Sequence, residues 1–542
     1  MRVVVGLRIK STDASWVARK GGTILQPVSV DIEAGQLVAI IGPSGAGKTT
    51  LLEILAGIRE PTGGQVRHDS TDPVGTEAGI GFVPQDDLIH PRLPLDRTLA
   101  YAARLRSAGP VDAREVERAV SRVLAVLGLK HRRRQPVGEL SGGERKRASI
   151  AVELLGHPPV LFLDEPTSGL DPATARELMR HLKGIAARGS TVVFTTHNPG
   201  DTAWCEHLLA VADGGRLAFA GSPTQALRHF SVGSVEEIYD RLSDVDLVWE
   251  PTPGAPMATP RPRRPRASSG AGRQWWLLTQ RTVELLARNR LTVAILVGSP
   301  VMIAVMFLML FRPGAFDFAN PSPNTTVMIL FWIAFGGFFF GLTYGLSQIC
   351  DEFAILRAER RAGLRLVPYV LSKITALVPL LGLVDALLLV LLRVTDRLPG
   401  TADPGALFLT LALTSLCALT LGLLCAAAVN SPSQAALMVP MLSFPQVLFV
   451  GAFLPVPVMA DVGRWVSYAM SNRWAFEALG AIAGVPELWA HGGSPLGPPL
   501  LASYGSTFDG PPGRNWVVLA AFAVVFAAGA VAVLRRKVGA RR

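Results

Sequence analysis

Apolar and polar positions divide the chain into two halves with different patterns. In the first half, short apolar runs at Leu37–Ile41, Val160–Leu163 and Thr191–Thr195 alternate with helical patterns at 49–55 and 175–187 and a turn at 198–200. Strands without polar alternation, separated by helices, are typical of a mainly parallel sheet that is covered on both faces. The pattern predicts an α/β domain over residues 1–245.

The second half contains much longer apolar segments. Each is long enough to cross a hydrocarbon core, which needs about 20 residues. They lie near 291–311, 326–348, 366–392, 405–429, 434–455 and 515–534. An all-α six-helix transmembrane domain is therefore predicted over 291–534.

Two segments join these halves. Residues 246–272 are predicted to be a linker, because 250–272 are rich in Pro, Arg, Ser and Gly and contain no stretch that could build a core. Residues 273–290 place Trp275 and Trp276 among arginines, a composition that suits a connecting helix at a membrane interface. A soluble connector helix is the alternative for this segment.

The net charge of +11 is confined to two short segments. Residues 250–290 hold 8 basic and 2 acidic groups, and the tail 535–542 holds 5 basic groups and no acidic group. A nucleic-acid-binding protein would carry its excess on the surface of a folded domain, whereas these segments flank the apolar half. We therefore expect a lipid bilayer, and no nucleic acid, as partner.

The same charges predict the topology of the membrane half. An even number of spans puts both termini on one side, and the loops on that side hold 17 basic residues against 6 in the opposite loops. Basic residues favour the cytoplasmic side. The chain is predicted to be a multi-pass protein of the cell membrane with cytoplasmic termini. The segment between spans five and six would lie outside, with short re-entrant or interfacial helices at 465–470 and 474–482.

A glycine-rich loop follows the first apolar run. Residues 42–49 fit the pattern GxxxxGK[ST] and lead into a helical pattern. Glycines let backbone N–H groups face phosphate oxygens at a helix N-terminus, where the helix dipole also favours anions. Lys48 would supply charge near the β- and γ-phosphates, and Thr49 an oxygen for Mg²⁺. The predicted nucleotide-binding residues are Gly42, Pro43, Ser44, Gly45, Ala46, Gly47, Lys48, Thr49 and Thr50.

Two carboxylates follow the apolar run Val160–Leu163. Neighbouring residues at a strand end point in different directions, so Asp164 is expected to face Mg²⁺ and Glu165 an attacking water. Many strands end in acidic residues, but the phosphate loop that precedes this pair makes the interpretation strong.

A second glycine-rich segment also opens a helix. It consists of Leu140, Ser141, Gly142, Gly143 and Glu144. One nucleotide has no need of two phosphate-facing helix ends, so this end is free to serve a different nucleotide. A partner subunit is implied.

These motifs, in this order, resemble the ATP-binding cassette of ABC transporters, a P-loop NTPase fold. The resemblance rests on the phosphate loop, Gln85 after FVP, LSGGE at 140–144, LFLDEPTSGLD at 161–171 and His197 in TTHNP. A cassette before six ABC-2-type spans is similar to the order in ABCG (White) half-transporters. Residues 352–364 (EFAILRAERRAGL) resemble that family's cytoplasmic segment after the second span.

The resemblance implies a role for each matching residue. ATP and Mg²⁺ would be held by Lys48, Thr49, Asp164 and Gln85, the last three on the metal. Glu165 would be the general base, and His197 would sense or position the γ-phosphate. Ser141, Gly142 and Gly143 would close over ATP bound by the opposite subunit, with Asp171 between the two sites. Trp16 would stack on adenine, although a strand tryptophan is also often a packing residue.

The resemblance also implies an exporter of a lipidic or amphipathic small molecule that works as a homodimer without a binding protein. Arg357, Glu359 and Arg360 lie in the only sizeable inner loop and are predicted to couple it to the cassette. The alternative is a solvated charge run that sets the topology. A membrane-bound ABC ATPase with a regulatory or resistance role and no cargo is the other functional hypothesis.

The cargo path is the least specific part of the sequence. As in the resembling family, Phe335 in span two and Phe444, Phe449 and Leu454 in span five would line an apolar cavity, although aromatic residues in spans more often pack against lipid or helices. Asp385 is an unusual intramembrane carboxyl group. Lys373, three turns away, is expected to snorkel rather than to pair with it.

Overall fold

The computed structural model describes residues 6–18, 21–69, 79–86, 88–107, 109–242 and 269–539. It divides into two compact units. One comprises the described residues up to Gly270 together with Ala358–Leu364, and the other comprises Ala271–Arg357 and the described chain from Arg365 onward. Most of the predicted linker, residues 246–268, and the last three residues of the basic tail lie outside the described residues.

The first unit contains nine strands and seven complete α-helices within the described residues. The strands are β1 (Arg8–Val17), β2 (Thr23–Ile32), β3 (Leu37–Ile41), β4 (Gly63–Asp69), β5 (Gly81–Val83), β6 (Val160–Leu163), β7 (Thr191–Thr195), β8 (His207–Ala212) and β9 (Arg216–Gly221). The helices are α1 (Lys48–Leu55), α2 (Leu95–Arg106), α3 (Ala113–Val126), α4 (Gly142–Leu154), α5 (Pro172–Ala186), α6 (Pro223–Phe230) and α7 (Val235–Arg241).

The main sheet of this unit has the strand order β5-β6-β7-β3-β8-β9. Its pairs are parallel except for β8 with β9. Alternate residues of β3 enter two different cores: Leu37 and Ala39 pack on one face and Val38 and Ile40 on the other. Burial on both faces explains the continuous apolar runs in the sequence. The predicted α/β fold is confirmed.

A second, antiparallel sheet has the order β2-β1-β4. Its long strands alternate only imperfectly, and the pairing of β1 with β2 shifts register between Ser11 and Ala14. Because such irregularities break the two-residue period, the sequence pattern did not predict this sheet.

The second unit is helical throughout the described residues. Its helices are α8 (Ala271–Arg288), α9 (Arg290–Leu310), α10 (Pro323–Leu346), α11 (Phe353–Arg361, whose last residues belong to the first unit), α12 (Leu366–Val394), α13 (Pro404–Ala428), α14 (Pro432–Leu448), α15 (Asp461–Tyr468), α16 (Ser471–Ile482), α17 (Val485–His491), α18 (Gly497–Tyr504) and α19 (Pro512–Gly539).

Six of these helices correspond to the six predicted spans. Among the described residues, four are long and apolar enough to cross a membrane, namely α10, α12, α13 and α19. The fifth prediction is wrong in length, because α14 has 17 residues and ends at Leu448, seven residues before the predicted end. At 1.5 Å per residue it covers about 26 Å, less than a hydrocarbon core of about 30 Å. Helix α9 has 21 residues, the length that the first predicted span requires.

The segment after α14 forms the short helices α15 to α18, of which α15 and α16 overlap the two predicted stretches 465–470 and 474–482. One of them is a core helix rather than an interfacial one. Asn472, Ala475 and Phe476 of α16 are fully buried, and α16 packs against α13 and α19. Its polar and apolar residues are therefore both enclosed by neighbouring helices.

Candidate functional site

The glycine-rich loop connects β3 to the first residue of α1. Gly42 has φ 153° and Gly47 has φ 92°, both outside the usual range for residues with a Cβ. A Cβ at Gly47 would lie 2.8 Å from the carbonyl oxygen of Ile24, so close approach also requires glycine there. The loop therefore adopts a conformation that turns backbone N–H groups outward at the N-terminus of α1.

The side chain of Lys48 folds back onto the glycine-rich loop. Its ammonium group is buried and donates hydrogen bonds to the carbonyl oxygens of Gly42 and Pro43, each at 2.8 Å. Burial lowers the pKa of Lys48, while the negative charges of Glu165 and Asp164 act in the opposite direction. The positive charge is thus held at the loop by its own backbone, in position for an anion.

Thr49 and Asp164 form an oxygen pair next to the loop. The Thr49 hydroxyl donates to Asp164 Oδ1 at 3.0 Å, and Thr195 donates to the same oxygen at 2.7 Å. Burial raises the pKa of Asp164, and these two hydrogen bonds only partly offset it. A hydroxyl and a carboxylate are the hard oxygen ligands that Mg²⁺ prefers, so the donor set fits this ion.

Glu165 lies beside His197 and Gln85. Its Oε2 is 3.4 Å from Nδ1 of His197, and Gln85 Nε2 donates to the same oxygen at 3.3 Å. The backbone of Glu165 is left-handed, with φ 44°, and its N–H donates to the Thr195 hydroxyl at 2.8 Å. Such a conformation is uncommon outside glycine and is typical of functional sites.

Sheet topology explains this convergence. The loop after β3, the carboxylates after β6 and His197 after β7 all follow neighbouring parallel strands. The carboxyl ends of parallel strands meet at one edge of the sheet, which is where α/β proteins bind ligands. Residues 42, 164 and 197, distant in the sequence, are therefore brought to one edge.

The LSGGE segment caps α4. Ser141 and Glu144 form a capping box, in which each residue accepts the other's backbone N–H with its side chain, at 3.3 Å for Ser141 and 2.9 Å for Glu144. Burial acts to raise the pKa of Glu144, but hydrogen bonds from Ser141 and Arg132 outweigh it and lower the pKa to about 2. Ser141 and Gly142 remain exposed at the helix end, while Leu140 and Gly143 are buried.

Two further predicted residues have clear local partners. Asp171 caps α5, accepting the N–H groups of Ala173 and Thr174, each at 3.0 Å. Trp16 is half-buried, and the guanidinium of Arg59 lies 4.3 Å from its ring centroid. The adenine and inter-subunit roles of these two residues remain predictions.

Sequence reasoning missed three residues that hold this site together. Thr195 bridges Asp164 and Glu165, Asp201 accepts hydrogen bonds from both flanking loops, and Lys146 donates to the Gln85 carbonyl at 2.6 Å. The adjacent threonines before His197 were the one signal available in the sequence. Lys146 and Asp201 reach the site only through the packing of α4 and of the segment after β7.

In the second unit, the structure corrects the interpretation of Lys373. It is 3% exposed and its ammonium lies 2.7 Å from Glu352 Oε2, so it does not snorkel. Tyr369 donates to the same carboxylate oxygen at 3.0 Å. A buried ion pair with an additional hydrogen bond satisfies the charge that the sequence left without a partner.

Asp385 is enclosed by three helices. It is 1% exposed on α12, and the Ser415 hydroxyl of α13 lies 3.1 Å from its Oδ1. The same hydroxyl is 3.1 Å from the carbonyl oxygen of Gly337 on α10. Ser415 thus connects the carboxyl group to two neighbouring spans.

The predicted cargo residues have different surroundings. Phe335 stacks on Phe331 at 5.8 Å between ring centroids, and Phe331 in turn contacts Phe453 at 5.1 Å. Phe444 and Leu454 are exposed in the single chain, at 66% and 46%, and Phe449 is half-buried. An aromatic cluster therefore links α10 to the segment after α14.

Two family models match the chain in succession. A model described as ABC transporter matches residues 25–168, and one described as ABC-2 type transporter matches residues 273–483. The first match contains the glycine-rich loop, the LSGGE segment and both carboxylates. The second contains α8 to α16 almost completely.

Two curated relatives align with most of the chain, and a third aligns with part of it. ABC transporter ATP-binding/permease protein Rv1747 of Mycobacterium tuberculosis is 31% identical over 509 residues, covering 90% of this chain and 58% of the relative. ABC transporter G family member 7 of Arabidopsis thaliana is 29% identical over 512 residues, which cover 84% of this chain and 70% of that relative. G family member 26 of the same plant is 39% identical over 217 residues, which cover 38% of this chain and 32% of that relative. The chain thus spans little more than half the length of Rv1747.

Proposed function

We propose that the chain is an ABC transporter with the domain order of the G-family half-transporters, and that it exports a lipidic or amphipathic small molecule at the expense of ATP. The observation that carries the proposal is the convergence of Gln85 and His197 on Glu165, beside the Thr49–Asp164 pair. This set contains a base, the two groups that position it, and a hydroxyl–carboxylate pair that can bind a cation. In this proposal the protein lies in the cytoplasmic membrane with both termini inside.

In the proposed hydrolysis each residue has a separate task. Lys48 and the loop N–H groups would bind the β- and γ-phosphates, and Thr49, Asp164 and Gln85 would hold Mg²⁺. The ion, when bound, neutralises charge on the phosphates. Glu165 orients the attacking water and accepts its proton, while His197 keeps the Glu165 carboxylate in position and faces the γ-phosphate.

The exposed end of α4 supports a dimer. Ser141 and Gly142 present a helix N-terminus to solvent, which suits the phosphates of ATP bound by a second subunit. In the other unit, α14 exposes Leu437, Met441 and Phe444 along one face. A second copy of the chain would bury this face, so a homodimer with two competent sites is the proposed assembly.

A contact of the inner loop supports its proposed role in coupling. Ala358–Leu364 belongs to the same unit as the cassette, and the guanidinium of Arg361 lies 5.2 Å from the Phe82 ring centroid. Phe82 precedes Pro84 and Gln85, whose carbonyl oxygens accept hydrogen bonds from Lys146 of the signature helix α4. A movement of α4 on ATP binding would therefore act on the strand that this loop contacts.

Vesicle transport tests the proposal. The reconstituted chain is expected to move fluorescent lipids or amphipathic drugs across the bilayer with ATP, and the Glu165→Gln variant is expected to move none. If hydrolysis depends on Glu165 but no compound is moved and none alters the hydrolysis rate, the chain is a regulatory or resistance ATPase without cargo. Loss of transport in Phe335→Ala, with hydrolysis retained, would support the proposed aromatic cavity.

A further inference from the structure

A buried carboxylate lies beneath the two loops that carry Glu165 and His197. Asp201 is 3% exposed and belongs to the short 3₁₀ helix Pro199–Trp204, which follows β7. Its Oδ2 accepts hydrogen bonds from the hydroxyls of Thr167 and Thr196, both at 2.6 Å. Thr167 lies two residues after Glu165, and Thr196 immediately precedes His197. One carboxylate oxygen therefore joins the two loops.

Asn198 adds two hydrogen bonds to this group of side chains. Asn198 Nδ2 donates to Asp201 Oδ1 at 3.3 Å, and the Asn198 N–H donates to the Thr196 hydroxyl at 2.9 Å. A threonine hydroxyl has one hydrogen, so Thr196 gives that hydrogen to Asp201 and accepts from Asn198. The Thr196 hydroxyl also lies 3.5 Å from the Asn198 carbonyl oxygen, but its contact with Asp201 at 2.6 Å is much the shorter.

The loop after β6 needs such support. Glu165 adopts φ 44°, a conformation that costs free energy for a residue with a Cβ and persists only where the surroundings impose it. Thr195 holds the N–H of Glu165 on one side. On the other side, the side chain of Thr167 is anchored through Asp201. The turn is thereby fixed both before and after the carboxylate that faces the nucleotide.

We infer that Asp201 is a positioning residue that holds Glu165 and His197 at their 3.4 Å contact. The inference deepens the proposed ATPase function and rests on it. Asp201 touches neither the glycine-rich loop nor the Thr49–Asp164 pair through any hydrogen bond in the described residues. Its loss therefore changes the hydrolytic step and leaves nucleotide binding as it is.

Kinetics of the full chain in nanodiscs test this inference. A displacement of reacting groups by about 1 Å costs about 100-fold in rate, so Asp201→Ala is expected to lower kcat by about 10- to 100-fold. The KM for ATP and the affinity for a non-hydrolysable ATP analogue are expected to stay within about twofold of wild type. Asp201→Asn keeps an oxygen for the two hydroxyls and is expected to recover part of the loss.

Thr202→Val is the matched control. Thr202 lies in the same short helix, is 1% exposed, and donates its hydroxyl hydrogen to the Pro199 carbonyl oxygen at 2.7 Å. The substitution removes a buried hydrogen bond without touching Thr167 or Thr196. It is expected to lower the melting temperature and leave kcat unchanged. Thr167→Val, which removes one of the two bridging bonds, is expected to lower kcat and provides the test if Asp201→Ala does not fold.

The possible outcomes distinguish a failure of the positioning role from a failure of the proposed ATPase function. If the Asp201→Ala and Thr167→Val variants hydrolyse ATP at the wild-type rate, the positioning role alone is overturned. An equal fall of kcat in Thr202→Val would reduce Asp201 to a structural residue. Absence of hydrolysis in the wild type, or full hydrolysis in Glu165→Gln, would overturn the proposed function and the positioning role with it.

Discussion

The Nδ1 atom of His197 lies 3.4 Å from Oε2 of Glu165. His197 follows β7 and Glu165 follows β6, two neighbouring parallel strands, so the contact depends on the pairing of these strands. The imidazole side chain is 57% exposed while the carboxylate is 20% exposed. His197 therefore covers the carboxylate from the solvent side and orients it.

His197→Ala is expected to lower kcat for ATP hydrolysis by about 10²- to 10³-fold, because Glu165 loses the group that orients it and general base catalysis depends on that orientation. The affinity for ATP should change little, since the glycine-rich loop is intact. Phosphate release and binding of a fluorescent ATP analogue measure the two quantities. His229→Ala, at an exposed histidine of α6, is the control. A His197→Ala variant with wild-type kcat would remove His197 from the mechanism.

The ionisation of Glu144 is expected to make the free energy of unfolding depend on pH. In the folded chain its pKa is lowered from the ordinary glutamate value of 4.5 to about 2, so its stabilising contribution is complete above pH 4.5 and is lost as the pH falls toward 2. The contribution is on the order of 2–3 kcal/mol. Denaturant unfolding of the full chain between pH 2 and 6 measures it. Glu144→Gln keeps the capping box and should flatten this part of the curve, whereas Glu139→Gln, at an exposed neighbour, should not.

The surroundings of Asp385 predict that its carboxyl group is protonated. The Ser415 hydroxyl has one hydrogen but lies 3.1 Å from both Asp385 Oδ1 and the Gly337 carbonyl oxygen. With an ionised carboxylate, the two acceptors must share the one hydrogen of Ser415, whereas a neutral carboxyl group can donate to Ser415 and leave that hydrogen for Gly337. The neighbouring spans α10 and α13 contain no Lys or Arg that would favour the ionised form.

Infrared spectroscopy of the reconstituted chain measures this state. Asp385→Asn should remove the carbonyl band of a protonated carboxylic acid at neutral pH, and stability should be nearly unchanged because an amide also donates to Ser415. Asp461→Asn, at an exposed ion pair with Arg464, should remove only carboxylate bands. Ser415→Ala leaves the carboxyl group without this partner, which costs about 1–3 kcal/mol. Loss of carboxylate bands alone in Asp385→Asn would show that the group is ionised.

The inner loop offers a test of coupling. Reversing the charges at Glu359 and Arg360 is expected to abolish transport and cargo-stimulated hydrolysis while basal hydrolysis persists, because the catalytic residues are untouched. Arg361→Ala should act in the same way through the loss of its contact with Phe82. Arg118→Glu, on the exposed face of α3, is the charge-change control. Transport that survives both changes would leave the loop with a role in topology only.

Local sequence was sufficient for the parts of the site that lie on one strand and its turn. The glycine-rich loop after Leu37–Ile41 and the carboxylates after Val160–Leu163 were readable because fully buried strands are continuous apolar runs. The roles of Thr195, Lys146 and Asp201 could not be predicted, because each of these residues contacts its partner only after distant segments have packed together. The sequence pattern also extended α14 to Pro455, since apolarity continues where the helix ends and the chain turns at Gly451, with φ 99°.

ATP hydrolysis by the purified, reconstituted chain, compared with its Glu165→Gln variant, tests the central claim most directly. The assembled site predicts Mg²⁺-dependent phosphate release by the wild-type protein, and a Glu165→Gln variant that binds ATP with unchanged affinity but releases phosphate at least 100-fold more slowly. Equal hydrolysis by both proteins, or none by the wild type while it binds ATP, would contradict the account.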